Sequence, residues 1–581
     1  MTKLLGTLSF NLIRTSLTRA MSSGQRVIYI RREANSEQFQ VNFDFVHDQL
    51  NIKRSFNFNR NVYETVEAFL GRVKANVGKI FERKTKKKLK KDESKVVEVG
   101  ELSIQLFHGL NEVERTEKCL DVFFSDKYKN GLLMKFVDNE YSVAVNHPCV
   151  LQLTMPKFAM SDCPLYPKSL RIFSGDLAHS EMSWQASRDN GKTWKVVGDC
   201  ILHYPTQKDV GSFLKFVCKP GNEERFGPEV DAEIPKKVSL SPVSYREGYS
   251  DFAPADQFRV MSYNLLADLY AETEVAIKQL FAHCPPFALS IDYRKPLLLR
   301  EIMGYKADII CLQEVDVKIF EYDLSFLLGC VDFAGEMAKK NGTVSEGVAT
   351  FFNKTKFRLV QQCKYVFGEE VDKDKMFADI WDQIKLNEKL VEKIKDLGTV
   401  LQILVLESVQ NPSNYLVLGN THLYFHPTAD HIRLLQAAMA LRWMNSTISQ
   451  FEEKGKNISM IFCGDFNSTP ESGVYEFMTA NVIPPDYKEW SSVEEEKITG
   501  LELKHNFQIK SAYEVTEKFP LTNYTPLFSG CLDYIYFTSK SLDVVEKLKL
   551  PDEQFLKEQV GLPNPNFPSD HLAICSTFKF I

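Results

Sequence analysis

Between residues 258 and 575 the chain repeats one design, and that design limits what it can fold into. Short apolar runs, each about as long as a buried strand, meet side chains capable of chemistry. The run 258–263 stops at Asn264, 307–313 at Glu314, 415–421 at His422, and 458–464 at Asp465, Phe466 and Asn467. Asp533 opens the run 534–537, and Asp570-His571 opens 572–575. Buried strands of this kind, alternating with helical patterns, predict one large α/β domain. Polar groups at the ends of strands in one sheet can converge on a single cleft.

At 581 residues the chain is too long for one hydrophobic core, and two to four domains are expected. Six basic residues (Lys3, Arg14, Arg19, Arg26, Arg31, Arg32) and no acidic one precede Glu33, with frequent Ser and Thr. That composition is typical of a mitochondrial transit peptide, assigned to 1–25, and places the protein in the matrix. Residues 26–150 alternate apolar and polar positions around a helical stretch and predict a small α+β domain. A tryptophan-bearing strand at 182–187, turn chemistry at 189–192 and an alternating strand at 213–218 predict an immunoglobulin-like β-sandwich over 151–240. The Ser- and Pro-rich stretch 241–255 reads as a linker, and 256–581 as the catalytic domain.

The net charge of −5 leaves polyanion binding to local patches. The run from Arg83 to Lys91 is either such a patch or, as is commoner, a solvated surface segment. The charged stretch 374–395 reads as an inserted solvent-facing helix. The twelve cysteines have no Cys-x-x-Cys spacing and several lie in apolar runs, so free buried thiols are expected. No apolar stretch approaches the ~18–20 residues of a membrane span, so membrane insertion is not expected. No stable protein partner is indicated.

Singly, each polar strand end is a weak signal. A strand-end carboxylate is more often a turn or helix cap than a ligand, and a lone histidine is more often a satisfied structural group. Together they supply every part that phosphodiester cleavage needs. A hard divalent cation takes oxygen ligands, and an attacking water needs a base. Charge developing on phosphorus needs fixed donors, and the leaving oxygen needs a metal or an acid.

The segments Leu312-Gln313-Glu314-Val315, Asn420-Thr421-His422, Gly464-Asp465-Phe466-Asn467, Leu532-Asp533-Tyr534 and Ser569-Asp570-His571 resemble, in this order, the endonuclease/exonuclease/phosphatase superfamily. The resemblance spans roughly 260–575. It implies a four-layered α/β sandwich of two packed mixed sheets flanked by helices, here preceded by the small α+β and β-sandwich-like domains. Residues 261–268, Tyr293-Arg294 and 420–424 are similar to the deadenylase and nocturnin-like branch, and His426, the upstream segment ending at 204–206 and the transit-like start are similar to its mitochondrial 2′-phosphodiesterases. Phe425 departs from the tryptophan expected in that branch.

The resemblance implies a magnesium ion, with manganese able to substitute, held by Glu314, Asp465, Asn467 and Asp570. It makes Asp465 the base for the attacking water or a ligand of a second metal. Asn467 becomes a donor to a phosphate oxygen, and His571 a phosphate contact oriented by Asp533. His422 is a further donor, and Asn264 either supports the metal ligand Glu314 from behind or orients the phosphate. Arg294, Tyr293, Phe425 and His426 are the expected substrate contacts, Arg294 as a bidentate donor to phosphate; Tyr293, Phe425 and also Tyr524 either stack on a base or pack in the core. The implied reaction releases 5′-AMP from 2′,5′-linked oligoadenylate and from 3′ poly(A) ends of RNA. Two alternatives stay open: a related phosphohydrolase acting on a dinucleotide cofactor or an inositol polyphosphate, and an inactive RNA-binding scaffold.

Overall fold

The computed structural model describes residues 26–89, 102–137, 139–242, 248–514 and 520–581. The transit-like segment 1–25 and the end of the basic run lie outside the described residues. The chain forms two compact units. One holds residues up to Pro156 with Tyr166–His203 and Gly211–Lys237, the other Lys157–Leu165, Tyr204–Val210 and Val238–Ile581. No helix among the described residues is long and apolar enough to cross a membrane.

The first unit begins with strands β1 (Val27–Arg31), β2 (Gln38–His47) and β3 (Ile52–Asn61), then helix α1 (Val66–Leu89). Strands β4 (Ile104–His108), β5 (Asn111–Glu112), β6 (Leu132–Phe136) and β7 (Asn139–Val145) complete a seven-stranded sheet in the order β3-β2-β1-β7-β6-β4-β5. The period-two pattern of β2 buries Phe39, Val41, Phe43 and Phe45, and α1 adds Val66, Phe69, Val73 and Val77 to the same core. Next come the hairpin β8 (Cys149–Thr154) and β9 (Ser169–Phe173) and strands β10 (Asp176–Ser187), β11 (Lys195–Gly198), β12 (Phe213–Gly221) and β13 (Val230–Glu233). The last four form a sheet ordered β11-β10-β12-β13. Trp184 of β10 is fully buried, gives its indole N–H to Ile201 O at 3.3 Å and stacks on His203.

Two stretches inside this region belong to the second unit. Ser161 N donates to Ser239 O at 3.0 Å and Asp162 N to Pro205 O at 2.7 Å. Met160 and Cys163 share a core with Leu297 of α2 (Ile291–Gly304). The segment 204–206, which lies within the 151–240 stretch assigned from sequence to the sandwich, is therefore part of the larger unit.

That unit is a four-layered α/β sandwich. Strands β14 (Gln257–Asn264), β15 (Ile309–Asp316), β16 (Phe333–Lys339) and β17 (Glu346–Asn353) lie in one sheet, and β18 (Phe357–Val366), β19 (Val400–Ser408), β20 (Asn414–His422) and β21 (Asn457–Asp465) in the other. Strands β22 (Ile509–Ser511) and β23 (Asp533–Thr538) join the second sheet, and β24 (Leu542–Lys547) and β25 (Ile574–Phe580) the first. The orders are β16-β17-β15-β14-β25-β24 and β18-β19-β20-β21-β23-β22. Each sheet has one parallel pair at its centre, β14 with β15 and β20 with β21, and antiparallel neighbours elsewhere. Val260, Ile309, Leu404, Leu418, Ile461, Ile535 and Ile574 fill the space between the sheets. The charged stretch at 374–395 is not a lone solvated helix. It forms α3 (Ala378–Ile384) and α4 (Glu388–Asp396), which bury Ile380, Ile384, Leu390 and Ile394 in one core with Trp443 of α5 (Asp430–Glu452).

Where the parallel strands finish, the interface between the sheets turns polar. Asn420 of β20 directs Nδ2 at Leu312 O (3.2 Å), Ala349 O (3.1 Å) and Thr350 Oγ1 (3.1 Å), all in the other sheet. Its Oδ1 accepts from Gln313 Nε2 at 2.9 Å, and Gln313 also reaches Ser262 Oγ at 3.1 Å. The β15–β17 ladder is broken by a bulge between Leu312 and Val315, so Asn420 serves carbonyls beside a gap in the sheet. Replacing it with an apolar side chain strands buried acceptors and Gln313 together. Asn420→Leu is expected to lower unfolding free energy by about 2–4 kcal/mol. Urea denaturation checks this, and an unchanged midpoint would show that the sheets do not depend on the network.

Candidate active site

Strand register sets the site. In the second sheet His422 pairs with Asp465 across the parallel β20–β21 ladder, and Asp465 with Asp533 across the antiparallel β21–β23 ladder. Three ionisable side chains thus stand on adjacent strands, about 5 Å apart at Cα. In the first sheet Asn264 pairs with Gln313, and the bulge turns the next residue, Glu314, into the left-handed region at φ 52°. A glutamate rarely takes that conformation, and there it costs of order 1–3 kcal/mol. Hydrogen bonds hold it: Ala267 N donates to Glu314 Oε2 at 2.8 Å and Asn264 Nδ2 to Oε1 at 3.1 Å.

Asn264 Nδ2 also donates to Asp465 Oδ2 at 3.0 Å, so one amide joins a carboxylate from each sheet. Asp465 Oδ2 lies 3.5 Å from His571 Nε2 and 3.6 Å from His422 Nε2. His571 Nδ1 is 2.8 Å from Asp533 Oδ2. Ser569 places the histidine by donating from Oγ to Asn264 O at 2.7 Å and accepting from His571 N at 3.2 Å. Asn467, at φ 48°, gives its backbone N–H to Asp465 Oδ1 at 2.9 Å and its side-chain amide to Leu423 O at 2.9 Å. Asp570 accepts from Asn523 Nδ2 at 3.5 Å.

Burial raises the Asp465 carboxyl to about 6, against the pull of His571 and with the push of Asp533. Burial also raises Glu314 to about 7, helped by the negative charges of Asp570 and Glu346. For His571 burial disfavours the cation, yet Asp533, Asp465 and Asp570 outweigh it and hold the ring protonated. Burial, Lys340 and His571 push His422 the other way, so it is neutral. The two histidines on Asp465 therefore carry different charges.

Four of the expected substrate contacts behave in two ways, and a fifth is redirected. Arg294 does not face a phosphate. It is fully buried and donates to main-chain carbonyls of Leu289 (2.9 Å), Leu265 (3.1 Å), Leu266 (2.9 Å) and Pro568 (3.2 Å). Those carbonyls lie at chain reversals with no ladder partner, and the guanidinium fork satisfies them. Tyr293 is not a stacking platform either: its hydroxyl donates to Pro565 O at 2.9 Å and its ring packs on Phe287 and Phe158. Asn264 is fully buried between two carboxylates, so it orients them. Phe425 is 69% exposed and His426 is exposed beside it, on the chain that follows His422.

Sequence reasoning missed Lys340 and Glu346. Lys340 Nζ lies 2.7 Å from Glu346 Oε1 and 3.4 Å from His422 Nδ1, and Tyr270 OH donates to Glu346 Oε1 at 3.1 Å. Glu346 opens an apolar strand just as Asp533 does, so the signal was present. It also missed Phe528, at the tip of a hairpin whose Asn523 bridges to His571. The Phe528 ring lies over Gly530, where a Cβ would come within 2.8 Å of it.

The donor set suits a hard divalent cation. Glu314, Asp465, Asp533 and Asp570 offer oxygens, Asp533 Oδ1 is buried without a partner, and burial together with the negative charges of Asp570 and Glu346 raises Glu314 despite the pull of Lys340. Asp465, Asp533 and His571 also bring ligand atoms within 4.8 Å of one another. His571 Nδ1 is already engaged by Asp533, which leaves the Glu314 side of the cleft as the better seat for an ion.

Residues 261–571 match the model of the Endonuclease/Exonuclease/phosphatase family, and 147–239 match the 2′,5′-phosphodiesterase 12-like N-terminal domain. Over 484 residues the chain is 36% identical to 2′,5′-phosphodiesterase 12 of Rattus norvegicus, covering 79% of this chain and 78% of that one. The Homo sapiens protein of that name is 34% identical over the same shares. The CCR4-Not complex 3′-5′-exoribonuclease subunit Ccr4 of Mycosarcoma maydis is 30% identical over 57% of this chain and 52% of its own. Enzymes of the matched family are generally dependent on a divalent metal. With the strand-end carboxylates and histidines gathered in one cleft and a family model spanning them, the chain belongs to the endonuclease/exonuclease/phosphatase family of hydrolases.

Proposed function

We propose that the chain is a magnesium-dependent phosphodiesterase that removes 5′-AMP from the ends of 2′,5′-linked oligoadenylate and from 3′ poly(A) ends of RNA. The observation that carries the reading is the contact of one carboxylate, Asp465, with a protonated and a neutral imidazole. The kinship with proteins named 2′,5′-phosphodiesterase 12 and with Ccr4 exoribonucleases supports the substrate class. We assign the activity to mitochondrial RNA from the basic, Ser- and Thr-rich, acid-free residues 1–25, which an import assay tests.

Glu314, with Asp570 near it, would hold the cation, which supplies positive charge to the phosphate and the leaving oxygen. Asp465 accepts the proton of the attacking water. Its Oδ1 is tied to Asn467 N, which leaves Oδ2 facing the cleft. The water oxygen bonds phosphorus as the ester bond to the leaving ribose oxygen breaks; that oxygen takes a proton from solvent to leave as a hydroxyl, and Asp465 returns the proton it accepted to solvent. His571, kept cationic and oriented by Asp533, donates from Nε2 to the charge that develops on the phosphate. Lys340 has only hydrogens to offer His422 Nδ1, so the His422 proton sits on Nε2, which faces Asp465 and the cleft. Exposed Phe425 and Phe528 supply flat apolar faces for bases.

A panel of 2′,5′-triadenylate, 3′,5′-triadenylate, NADPH and an inositol polyphosphate, each with and without magnesium, tests the substrate. Release of 5′-AMP from the triadenylates alone is expected, and preference for either of the others would overturn the reading. Asp465→Asn is expected to lower kcat by roughly 10²–10⁴-fold. The same change should leave the thermal midpoint equal or higher, because it removes a buried charge beside Asp533. Near-normal turnover in this variant would remove the base from the mechanism.

The raised carboxyls also predict a pH effect on stability. A carboxyl whose folded pKa lies above its unfolded value makes the folded state bind more protons, so stability falls as pH rises between the two. For Glu314 that window runs from 4.5 to about 7, and for Asp465 from 3.8 to about 6. In chelator the thermal midpoint should therefore fall from pH 5 to pH 7.5. Magnesium should restore it at pH 7.5 and have little effect at pH 5, because ligands bind deprotonated. A magnesium shift equal at both pH values, or one that survives in Glu314→Gln, would contradict the assignment.

A further inference from the structure

We infer that Arg433 and Gln436, on the first two turns of α5, are positioning residues that hold the chain at 423–427 as a fixed arch, so that Phe425 stands ready as a platform for a substrate base. The inference rests on the nucleotide reading above and extends it to residues that do not touch the phosphate site.

The arch starts immediately after His422; its main-chain ties run to the active site or to the start of α5, and Lys393 of α4 lies over the Tyr424 ring at 5.3 Å. Leu423 N donates to Asp465 O at 3.0 Å, and Leu423 O accepts from Asn467 Nδ2 at 2.9 Å. Tyr424 N donates to Gln436 Oε1 at 3.0 Å. Arg433 Nη1 donates to Tyr424 O at 3.2 Å and His426 O at 2.6 Å, and Nη2 to Pro427 O at 3.3 Å and Asp430 Oδ1 at 2.5 Å. Phe425 sits in the middle of these ties with its ring outside them, 69% exposed and in edge contact with Tyr424.

The placement of the two α5 side chains is costly. Arg433 and Gln436 are each only 3% exposed, and Arg433 Nε and Gln436 Nε2 are buried without a partner. A buried guanidinium with an unmet donor brings little net stability. What it does bring is rigidity of the main chain: three carbonyls within four residues are fixed by one planar fork. A large aromatic held in water by a rigid backbone contributes affinity only when a ligand covers it. Pre-fixing the backbone lowers the entropy lost when that happens.

Full-length variants test the arch in two ways. In steady-state hydrolysis of triadenylate, Arg433→Lys keeps the charge and loses the fork; KM should rise about tenfold with kcat held within about twofold. Gln436→Met should raise KM about threefold, and Gln436→Glu, which keeps an acceptor for Tyr424 N, should restore it. Phe425→Ala should raise KM, and Arg433→Lys combined with Phe425→Ala should be no worse than Phe425→Ala alone, because one residue acts through the other. Additive losses, a fall in kcat at constant KM, or unchanged constants in both Arg433→Lys and Gln436→Met would overturn the proposal. Should Arg433→Lys fail to fold, the Gln436 pair decides. The second readout needs no activity: brief chymotrypsin digestion should cut after Phe425 faster in Gln436→Met than in wild type at equal thermal stability, and equal rates would overturn the arch. Wild-type protein inert toward triadenylate would instead sink the substrate reading, with digestion still deciding whether the arch is held.

Discussion

Burial of apolar side chains is non-directional, so on its own it specifies the register of two packed sheets only weakly. The polar knot around Asn420 removes that freedom. It joins β20 to the carbonyls of Leu312 and Ala349 and to Gln313, directly before the bulge that turns out Glu314. The position of the bulge in one sheet is thereby set against the ends of β20 and β21 in the other, where His422 and Asp465 stand. Asn264 then spans the remaining gap from Glu314 to Asp465. The geometry of the cleft follows from buried amides, and the apolar core supplies the bulk of the stability around them.

That arrangement stores charge as well as shape. Glu314, Asp465, Asp533, Asp570 and Glu346 surround one cleft, and the cations facing it, His571 and Lys340, are fewer. Glu314 and Asp465 resist ionisation because water is excluded and neighbouring carboxylates repel. A site tense in this way favours a ligand that brings positive charge, which accords with the metal dependence of the family. The same exclusion of water lets the contrast between a cationic His571 and a neutral His422 persist across a few ångströms.

The position of the site was legible in the sequence because strands that end at a cleft must be apolar until they reach it. Asn264, Glu314, His422, Asp465 and Asp533 are marked by that abrupt change. Glu346 carries the same mark and was passed over because it lies in none of the segments that show the resemblance. Arg294 and Tyr293 were misread for a different reason. The helix that carries them turns both inward, and nothing in local spacing tells a guanidinium that meets phosphate from one that meets stranded carbonyls. The excursions 157–165 and 204–210 were equally illegible, since a short irregular stretch does not announce which core it joins. The twin helices α3 and α4 hid a buried edge of Ile380, Ile384, Leu390 and Ile394 behind a high density of charge.

Arg294 and Arg433 show how the loops of such a site are made rigid without secondary structure. Each guanidinium is almost wholly buried and gives its hydrogens mainly to main-chain carbonyls, of residues 265, 266, 289 and 568 in one case and 424, 426 and 427 in the other. Loops that follow strand ends cannot use ladder bonds, and carbonyls left in a dry cleft would be expensive. A lysine could meet one or two such carbonyls as a point charge, whereas the planar fork meets several at fixed angles. The arginines therefore do for the loops what Asn420 does for the sheets. They convert a polar liability of chain reversal into a fixed position for the residues that face the cleft, and the resulting geometry is present before any ligand arrives.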